Sequence, residues 1–319
     1  MLTMLVQDFL SSFDESRFPP EFLQRYEIME CLAHNEMGET LLVKDRQTAQ
    51  QQVAKCYSNP SLLAHGSESD LLKNLQHIGL PTYRGEVQNE NMRCVLREFA
   101  PGTPLDQLAQ AAALSQQQAL SIAIQLCDIL SYLHGQTPPI IHRDIKPQNI
   151  IVDQHGKITL IDFGISRTFN PESQADTQCW GTKHYAAPEQ YGFSQTTSRS
   201  DIFSLGVLLC WMLTGSVNVA QAIKSIPDRW LVKIIKKCTA FAPQSRYRNA
   251  AQVRQALSGH AARSRTLAFL GVAFILLVIG LGFANFSKII NPPPARITFQ
   301  EPRIEQAVRL TLQKGVSEE

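Results

Sequence analysis

The stretch Ile141-His-Arg-Asp-Ile-Lys-Pro-Gln-Asn149 brings a carboxylate, an ammonium and a carboxamide (Asp144, Lys146 and Asn149) within six residues. Thirteen residues beyond Asn149 stands Asp162, in Asp-Phe-Gly164 behind the β-like run Ile158-Thr-Leu-Ile161. Moving a phosphoryl group onto a hydroxyl needs a carboxylate to orient the hydroxyl and accept its proton. It also needs a cation near the transferred phosphate and an amide or carboxylate oxygen on Mg²⁺. Residues of these types in so short a span could do that chemistry. His-Arg-Asp alone could be a chance tripeptide in a loop; with Lys146 and Asn149 at these spacings the pattern is far more specific.

The stretch resembles the catalytic loop of protein kinases, and the resemblance runs from about Tyr26 to Leu257. It implies that Asp144 orients the substrate hydroxyl, Lys146 stands near the γ-phosphate and Asn149 ligates Mg²⁺. Asp162, in a DFG motif, is implied to ligate the ion that bridges the phosphates. Gly181-Thr-Lys-His-Tyr-Ala-Ala-Pro-Glu189 resembles the end of an activation segment with its APE sequence. Arg246, in Pro243-Gln-Ser-Arg-Tyr247, sits where the family places the arginine that pairs with Glu189. Asp201 matches the aspartate that holds the catalytic-loop backbone, and these three are implied to be architectural. Val53-Ala-Lys55 resembles the strand whose lysine grips the α- and β-phosphates. Glu68, followed by Leu72, Leu75 and His77, reproduces the spacing of its ion-pair partner's helix. Taken alone, Lys55 and Glu68 would be ordinary surface charges; their order before His-Arg-Asp singles them out.

Two positions depart from the family. Backbone amides approach phosphate oxygens only where side chains are absent, hence the usual GxGxxG. The aligned stretch, Ala33-His-Asn-Glu-Met-Gly38, keeps only the third glycine, although Asn35 tolerates positive φ better than most residues. The resemblance assigns nucleotide binding to Ala33, Asn35, Gly38, Lys55, Glu68 and the hinge residue Glu98. Arg97, just before Glu98-Phe99, falls at the gatekeeper position behind the adenine pocket, where it could turn toward an acidic neighbour.

Lys146, two places after Asp144, and Thr182, in Gly181-Thr182, are the family's marks of serine/threonine rather than tyrosine specificity. Thr182 is implied to orient Asp144 and Lys146. Because Arg143 precedes the aspartate, a phosphate on the activation segment could pair with it and order the loop. Thr177 is the first candidate acceptor and Ser173 the second; the plainer alternative is that both are solvated loop residues. ATP with Mg²⁺, or Mn²⁺ in its place, is the implied cofactor pair, and proteins are the implied substrates.

The elements that must position these residues fit a chain of 319 residues, long enough for two packed lobes. Short strands are predicted at Leu41–Val43, Gln52–Ala54, Met92–Phe99 and Lys157–Ile161. Ser115 with Gln118 predicts a capping box, followed by a helix with apolar positions at Leu120, Ala123, Ile124, Cys127, Leu130 and Leu133 and a stop near Gly135. Ile202–Leu213 is too short to span a bilayer and predicts a helix buried on all sides. The expected class is α+β: a bilobal kinase fold, strand-rich N-lobe and helical C-lobe, followed by one transmembrane helix. The boundaries are a lead segment 1–25, N-lobe 26–100, C-lobe 101–257, juxtamembrane 258–265, transmembrane helix 266–287 and tail 288–319.

Residues 267–286, LAFLGVAFILLVIGLGFANF, carry no charge between Arg265 and Lys288, and about twenty helical residues match a hydrocarbon core of roughly 30 Å. The alternative, a buried core helix, would ordinarily be shorter and broken by polar positions. Arg263 and Arg265 precede the span and Lys288 and Arg296 follow it, so the basic residues give only a slight preference for an inward N-terminal side. All seven cysteines precede residue 266 and none forms a CxxC pair, which suits reduced thiols in the cytoplasm. The reading is therefore a single-pass cell-membrane protein with its catalytic domain cytoplasmic and its tail outside, resembling bacterial membrane-attached serine/threonine kinases. Thirty basic against twenty-eight acidic residues leave no field that would recruit nucleic acid. Protein substrates, the membrane and a homodimer that autophosphorylates are the partners implied. A pseudokinase, the same fold serving as a membrane-tethered scaffold, is the alternative, and the degraded glycine loop is what favours it.

Overall fold

In the computed structural model the chain divides into two units, residues 1–260 and 261–319. The structure describes residues 13–35, 38–58, 67–164, 166–168, 184–191, 195–259, 276, 279 and 300–315.

The first unit opens with a 3-10 turn, Glu15–Arg17, capped by the Asp14 carboxylate, and helix α1 (Pro20–Arg25). Pro20 starts α1 because its fixed φ suits a helix and its missing N–H would have no partner there. Five antiparallel strands follow: β1 (Tyr26–Asn35), β2 (Gly38–Asp45), β3 (Gln51–Tyr57), β4 (Tyr83–Gln88) and β5 (Arg93–Glu98), in the order β1-β2-β3-β5-β4. Helix α2 (Ser67–Lys73) lies between β3 and β4 in sequence.

The two-residue period of a strand gives the sheet two distinct faces. One buries Leu41, Val43, Ala54, Cys56, Met92, Cys94 and Leu96. Phe18, Phe22 and Tyr26 cover it in an aromatic row that starts at Phe13, with ring centroids 5.3–5.7 Å apart. Arg25 adds a 2.9 Å ion pair to buried Asp45. From residue 13 onward, then, the segment set apart by sequence as a lead forms part of the sheet's core. The other face carries Val53, Lys55 and Tyr57 of β3 opposite Arg97, Val95 and Arg93 of β5.

The second lobe begins with β6 (Thr103–Pro104) and α3 (Leu105–Ala111). Then comes α4 (Gln116–His134), whose Ser115–Gln118 capping box and stop at Gly135 are as predicted. Short strands β7 (Ile140–Ile141), β8 (Ile150–Val152), β9 (Ile158–Leu160) and β10 (Arg167–Thr168) pair as β6-β8-β9 and β10-β7. Helix α5 (Ser198–Thr214) is capped by Thr197 and ends at Gly215, whose φ of 72° closes it in the left-handed region. Ile202 and the stretch Ser204–Cys210 are buried without a break, as a helix apolar on all sides requires. Around it lie α6 (Val219–Ala222), α7 (Arg229–Cys238) and α8 (250–259). The strands expected from sequence all occur, β2 and β3 being longer than their apolar runs. The six described cysteines are free and buried.

In the second unit, α9 (Pro302–Gly315) exposes Ile304, Val308 and Leu312. Among the described residues no helix is long and apolar enough to cross a membrane. The transmembrane helix expected at 266–287 lies outside them except for Leu276 and Ile279, which are helical and 64 % and 62 % exposed.

Candidate active site

The loop after β7 is held from below by one carboxylate. Asp201, in the first turn of α5 and fully buried, accepts the N–H of His142 (2.9 Å), the N–H of Arg143 (2.8 Å) and a bond from His134 Nε2 (2.8 Å). Burial raises its carboxyl pKa, but His134 and these donors outweigh that and hold it below the ordinary range. Arg143 has φ 70°, a conformation that costs a non-glycine residue about 1–3 kcal/mol. Its neighbours fix it there: Gln190 Nε2 donates to its carbonyl (2.8 Å), and its own Nε donates to Thr196 Oγ1 (2.8 Å).

Held this way, the loop directs two donors at one oxygen. Asp144 Oδ2 lies 2.7 Å from Lys146 Nζ and 2.9 Å from Asn149 Nδ2, which also donates to the Asp144 carbonyl (2.9 Å). With its amide nitrogen spent on Asp144, Asn149 has its carbonyl oxygen to offer a cation.

A second cluster draws on β3, α2 and the turn after β9. Lys55 Nζ lies 3.2 Å from Glu68 Oε2 on α2 and 2.5 Å from Asp162 Oδ1. The Tyr57 hydroxyl donates to the same Glu68 oxygen. Burial alone would lower the Lys55 pKa, but Glu68 and Asp162 outweigh it and push the ammonium above its ordinary range. Asp162 shows the mirror effect: burial raises it, Lys55 more than compensates, and the carboxyl stays well below the usual range. Both groups are therefore charged at neutral pH. Asp162 also has φ 70° and accepts the Gly164 N–H at 3.1 Å. A Cβ on Gly164 would stand 2.7 Å from Lys55 Nζ, so the bare glycine lets the ion pair close.

Packing ties the clusters together. Phe163 is fully buried and meets the His142 ring edge-on at 5.0 Å. Leu72 and Leu75, at and just past the end of α2, belong to the same core as Phe163 and α5, so the Glu68 helix stands on the core that seats the Asp162 turn. Glu189 and Arg246 form a bidentate pair at 2.6 and 2.9 Å below the loop.

Ala33 and Asn35 end β1, and Asn35 pairs in register with Gly38, which begins β2. A Cβ on Gly38 would run into the Cys56 carbonyl of β3, so glycine is required for the hairpin to lie on the sheet. Glu98 turns its carboxylate toward Arg84 (3.7 Å) and the Thr82 amide (3.4 Å), so it offers a nucleotide main chain rather than its acid group. Arg97 is 6 % exposed on the Lys55 face of the sheet. Thr182, Thr177 and Ser173 lie outside the described residues. Motif spacing did not point to Tyr57, His134, Gln190 or Thr196. Tyr57 completes the bonding of Glu68 from 11 residues away, and the other three each complete that of a motif residue from a distant part of the chain.

Asn149 and Asp162 give oxygen donors, the set a hard ion such as Mg²⁺ takes. Among the described residues no group of three or more His, Cys, Asp or Glu could hold a metal. An ion held here would draw its remaining oxygens from phosphates and water.

Residues 26–262 match the family model described as "Protein kinase domain". The chain is 30 % identical over 270 residues to "Serine/threonine-protein kinase D" of Synechocystis, covering 74 % of this chain and 52 % of the relative. It is 28 % identical over 254 residues to "Probable serine/threonine-protein kinase PknB" of Lactococcus lactis, covering 71 % and 40 %. Against "Sperm motility kinase Z" of Mus musculus it is 30 % identical over 213 residues, covering 65 % and 41 %. The chain thus spans about half, or less, of the length of these curated relatives.

Proposed function

We propose that this chain, which belongs to the protein kinase domain family, transfers the γ-phosphate of ATP to serine and threonine hydroxyls of proteins. The observation that carries the proposal is the assembly of two charge clusters from four separate segments. Asp144, Lys146 and Asn149 converge in one, and Lys55, Glu68 and Asp162 in the other. Bound Mg²⁺-ATP supplies the phosphoryl group and the charge of the metal. Asp144 orients the substrate hydroxyl and takes its proton, while Lys146 sets positive charge beside the transferred group. Lys55, steadied by Glu68, meets the inner phosphates, and Asn149 and Asp162 hold the metal. The test is to incubate the full chain with Mg²⁺-ATP and a generic protein substrate and to map phosphate by mass spectrometry. Phosphoserine and phosphothreonine are expected; phosphotyrosine alone would overturn the assignment.

The same reading makes residues 266–287 a single transmembrane helix, with the catalytic domain cytoplasmic and residues 288–319 outside. Its support is the charge-free run between Arg265 and Lys288 and the exposure of Leu276 and Ile279. Extraction of the protein from membranes by alkaline carbonate would contradict it. Autophosphorylation at Thr177 or Ser173, between two copies, belongs to the same proposal; a self-labelling rate independent of concentration would count against the second copy. The scaffold alternative draws on the two lost glycines of the Ala33–Gly38 hairpin. ATP binding without transfer would favour it.

A further inference from the structure

Arg97 is a fourth charge beside Lys55, Glu68 and Asp162, and the chemistry above makes no use of it. In β5 it stands cross-strand from Val53 on one side and Tyr83 on the other, on the sheet face that carries Lys55. Only 6 % of it is exposed, and its Nε has no hydrogen-bond partner among the described residues. The charges that act on it are Glu68 and Asp162. Burial lowers its pKa from the ordinary value, yet a guanidinium remains charged throughout the physiological range.

A buried cation with an unpaired donor is costly unless its charge is used. Here the charges sum simply: two carboxylates, Glu68 and Asp162, against two cations, Lys55 and Arg97. Without Arg97 the cluster would be net negative, facing a polyphosphate that is itself strongly negative. The hairpin that should offer close backbone amides, Ala33 to Gly38, keeps one glycine of three.

We propose that Arg97 is a positioning residue for the nucleoside polyphosphate. Its buried positive charge offsets Glu68 and Asp162, which strengthens the hold on the anionic phosphates and weakens the attraction of Asp162 for the metal ion. The inference rests on the kinase reading of the site.

The test measures ATP affinity of the full chain by calorimetry, in EDTA and in Mg²⁺, for the wild type, R97M and R97K, with Mg²⁺ half-saturation read from the same titrations. R97M should lose about tenfold in affinity in EDTA, the effect of one unit charge about 12 Å away at an effective dielectric of about 20. Its half-saturating Mg²⁺ should move the opposite way, to lower concentration, and R97K should stay near the wild type in both. A side chain that only fills space would not move the two quantities in opposite directions. Equal affinity of R97M and wild type in EDTA would overturn the proposal, as would an equal loss in R97K. If R97M lacks a cooperative thermal transition, R97Q takes its place, with the same outcomes deciding. Transfer by the wild type is scored separately. Wild type that binds ATP but labels nothing sinks the kinase reading while leaving Arg97 to be judged by affinity, and wild type that binds no ATP sinks both.

Discussion

Replacing Arg246 by alanine would strand a carboxylate that water does not reach. All five N–H groups of Arg246 are used: two on Glu189 (2.6 and 2.9 Å) and one each on the carbonyls of Ala240 (2.8 Å), Arg199 (2.9 Å) and Phe241 (2.9 Å). The two side chains are 0 % and 4 % exposed. Removing one partner of such a pair costs about 3–5 kcal/mol, because the other charge is left buried alone. Ser200 Oγ still donates to Glu189 Oε1 at 2.7 Å, which favours the lower end. At about 2–4 °C per kcal/mol for a domain of this size, Tm should fall by about 6–20 °C.

The pH dependence gives a second check on the same pair. Burial raises the Glu189 pKa, but Arg246 and Ser200 outweigh it and hold it below its ordinary 4.5. A depressed acid contributes stability that is complete above 4.5 and lost as pH falls below it. In R246A the buried carboxyl has no cation and shifts upward, so its penalty is largest at neutral pH and eases on acidification. The Tm gap between wild type and variant should therefore narrow below neutrality, and R246A/E189A should recover part of the loss. Calorimetry across this pH range decides it. An R246A Tm within about 2 °C of wild type, or a gap that widens on acidification, would refute the reasoning.

Three further perturbations probe the site and its surroundings. Lys55→Met removes the cation shared by Glu68 and Asp162, and phosphate transfer should fall by about 10²–10³ while the circular dichroism spectrum is unchanged; an unchanged rate would exclude Lys55 from the reaction. Gly164→Ala puts a methyl 2.7 Å from Lys55 Nζ, which can move because it ends a flexible chain. Tm should change little and transfer should drop at least about tenfold, the effect of a displaced Lys55–Asp162 pair; the reverse pattern would argue against it. Burial raises the Glu86 pKa, but bonds from Arg93, Lys73 and Ser69 bring it to about 2, so its contribution is present above 4.5 and lost as pH falls from 4.5 toward 2. Arg93→Met should remove about 1 kcal/mol at neutral pH and flatten the urea midpoint below pH 5, and an unchanged pH slope would contradict this.

What could be seen in the sequence was what depends on short fixed spacings. Asp144, Lys146 and Asn149 lie on a single loop, so their residue types and order already bring them together. The exceptions are Asp201 and Arg246, 59 and 57 residues from groups they bond, which were visible only through the family resemblance. The Ser115–Gln118 cap was visible because it is built from local hydrogen bonds. Distant partners outside the family motifs left no such trace. Gln190 on the Arg143 carbonyl, His134 under Asp201 and Thr196 on the Arg143 guanidinium are 47, 67 and 53 residues from what they bond. The covering of the sheet by Phe18 and Phe22 was missed for another reason: α1 has six residues, too few to show a helical period. Strand β2 runs past its apolar run because its ladder to β1 and β3 continues through Glu39 and Lys44, charged residues that lie outside the Leu41–Val43 run.

The most direct test of the account compares the full chain with its Asp144→Asn variant in Mg²⁺ and γ-labelled ATP, scoring phosphate on protein hydroxyls. Asn149 and Lys146 remain in the variant, so only the proton acceptor changes. The account predicts label on serine or threonine in the wild type and about 10²–10⁴ times less in the variant. Equal labelling of the two, or no labelling by a wild type that binds ATP, would contradict it.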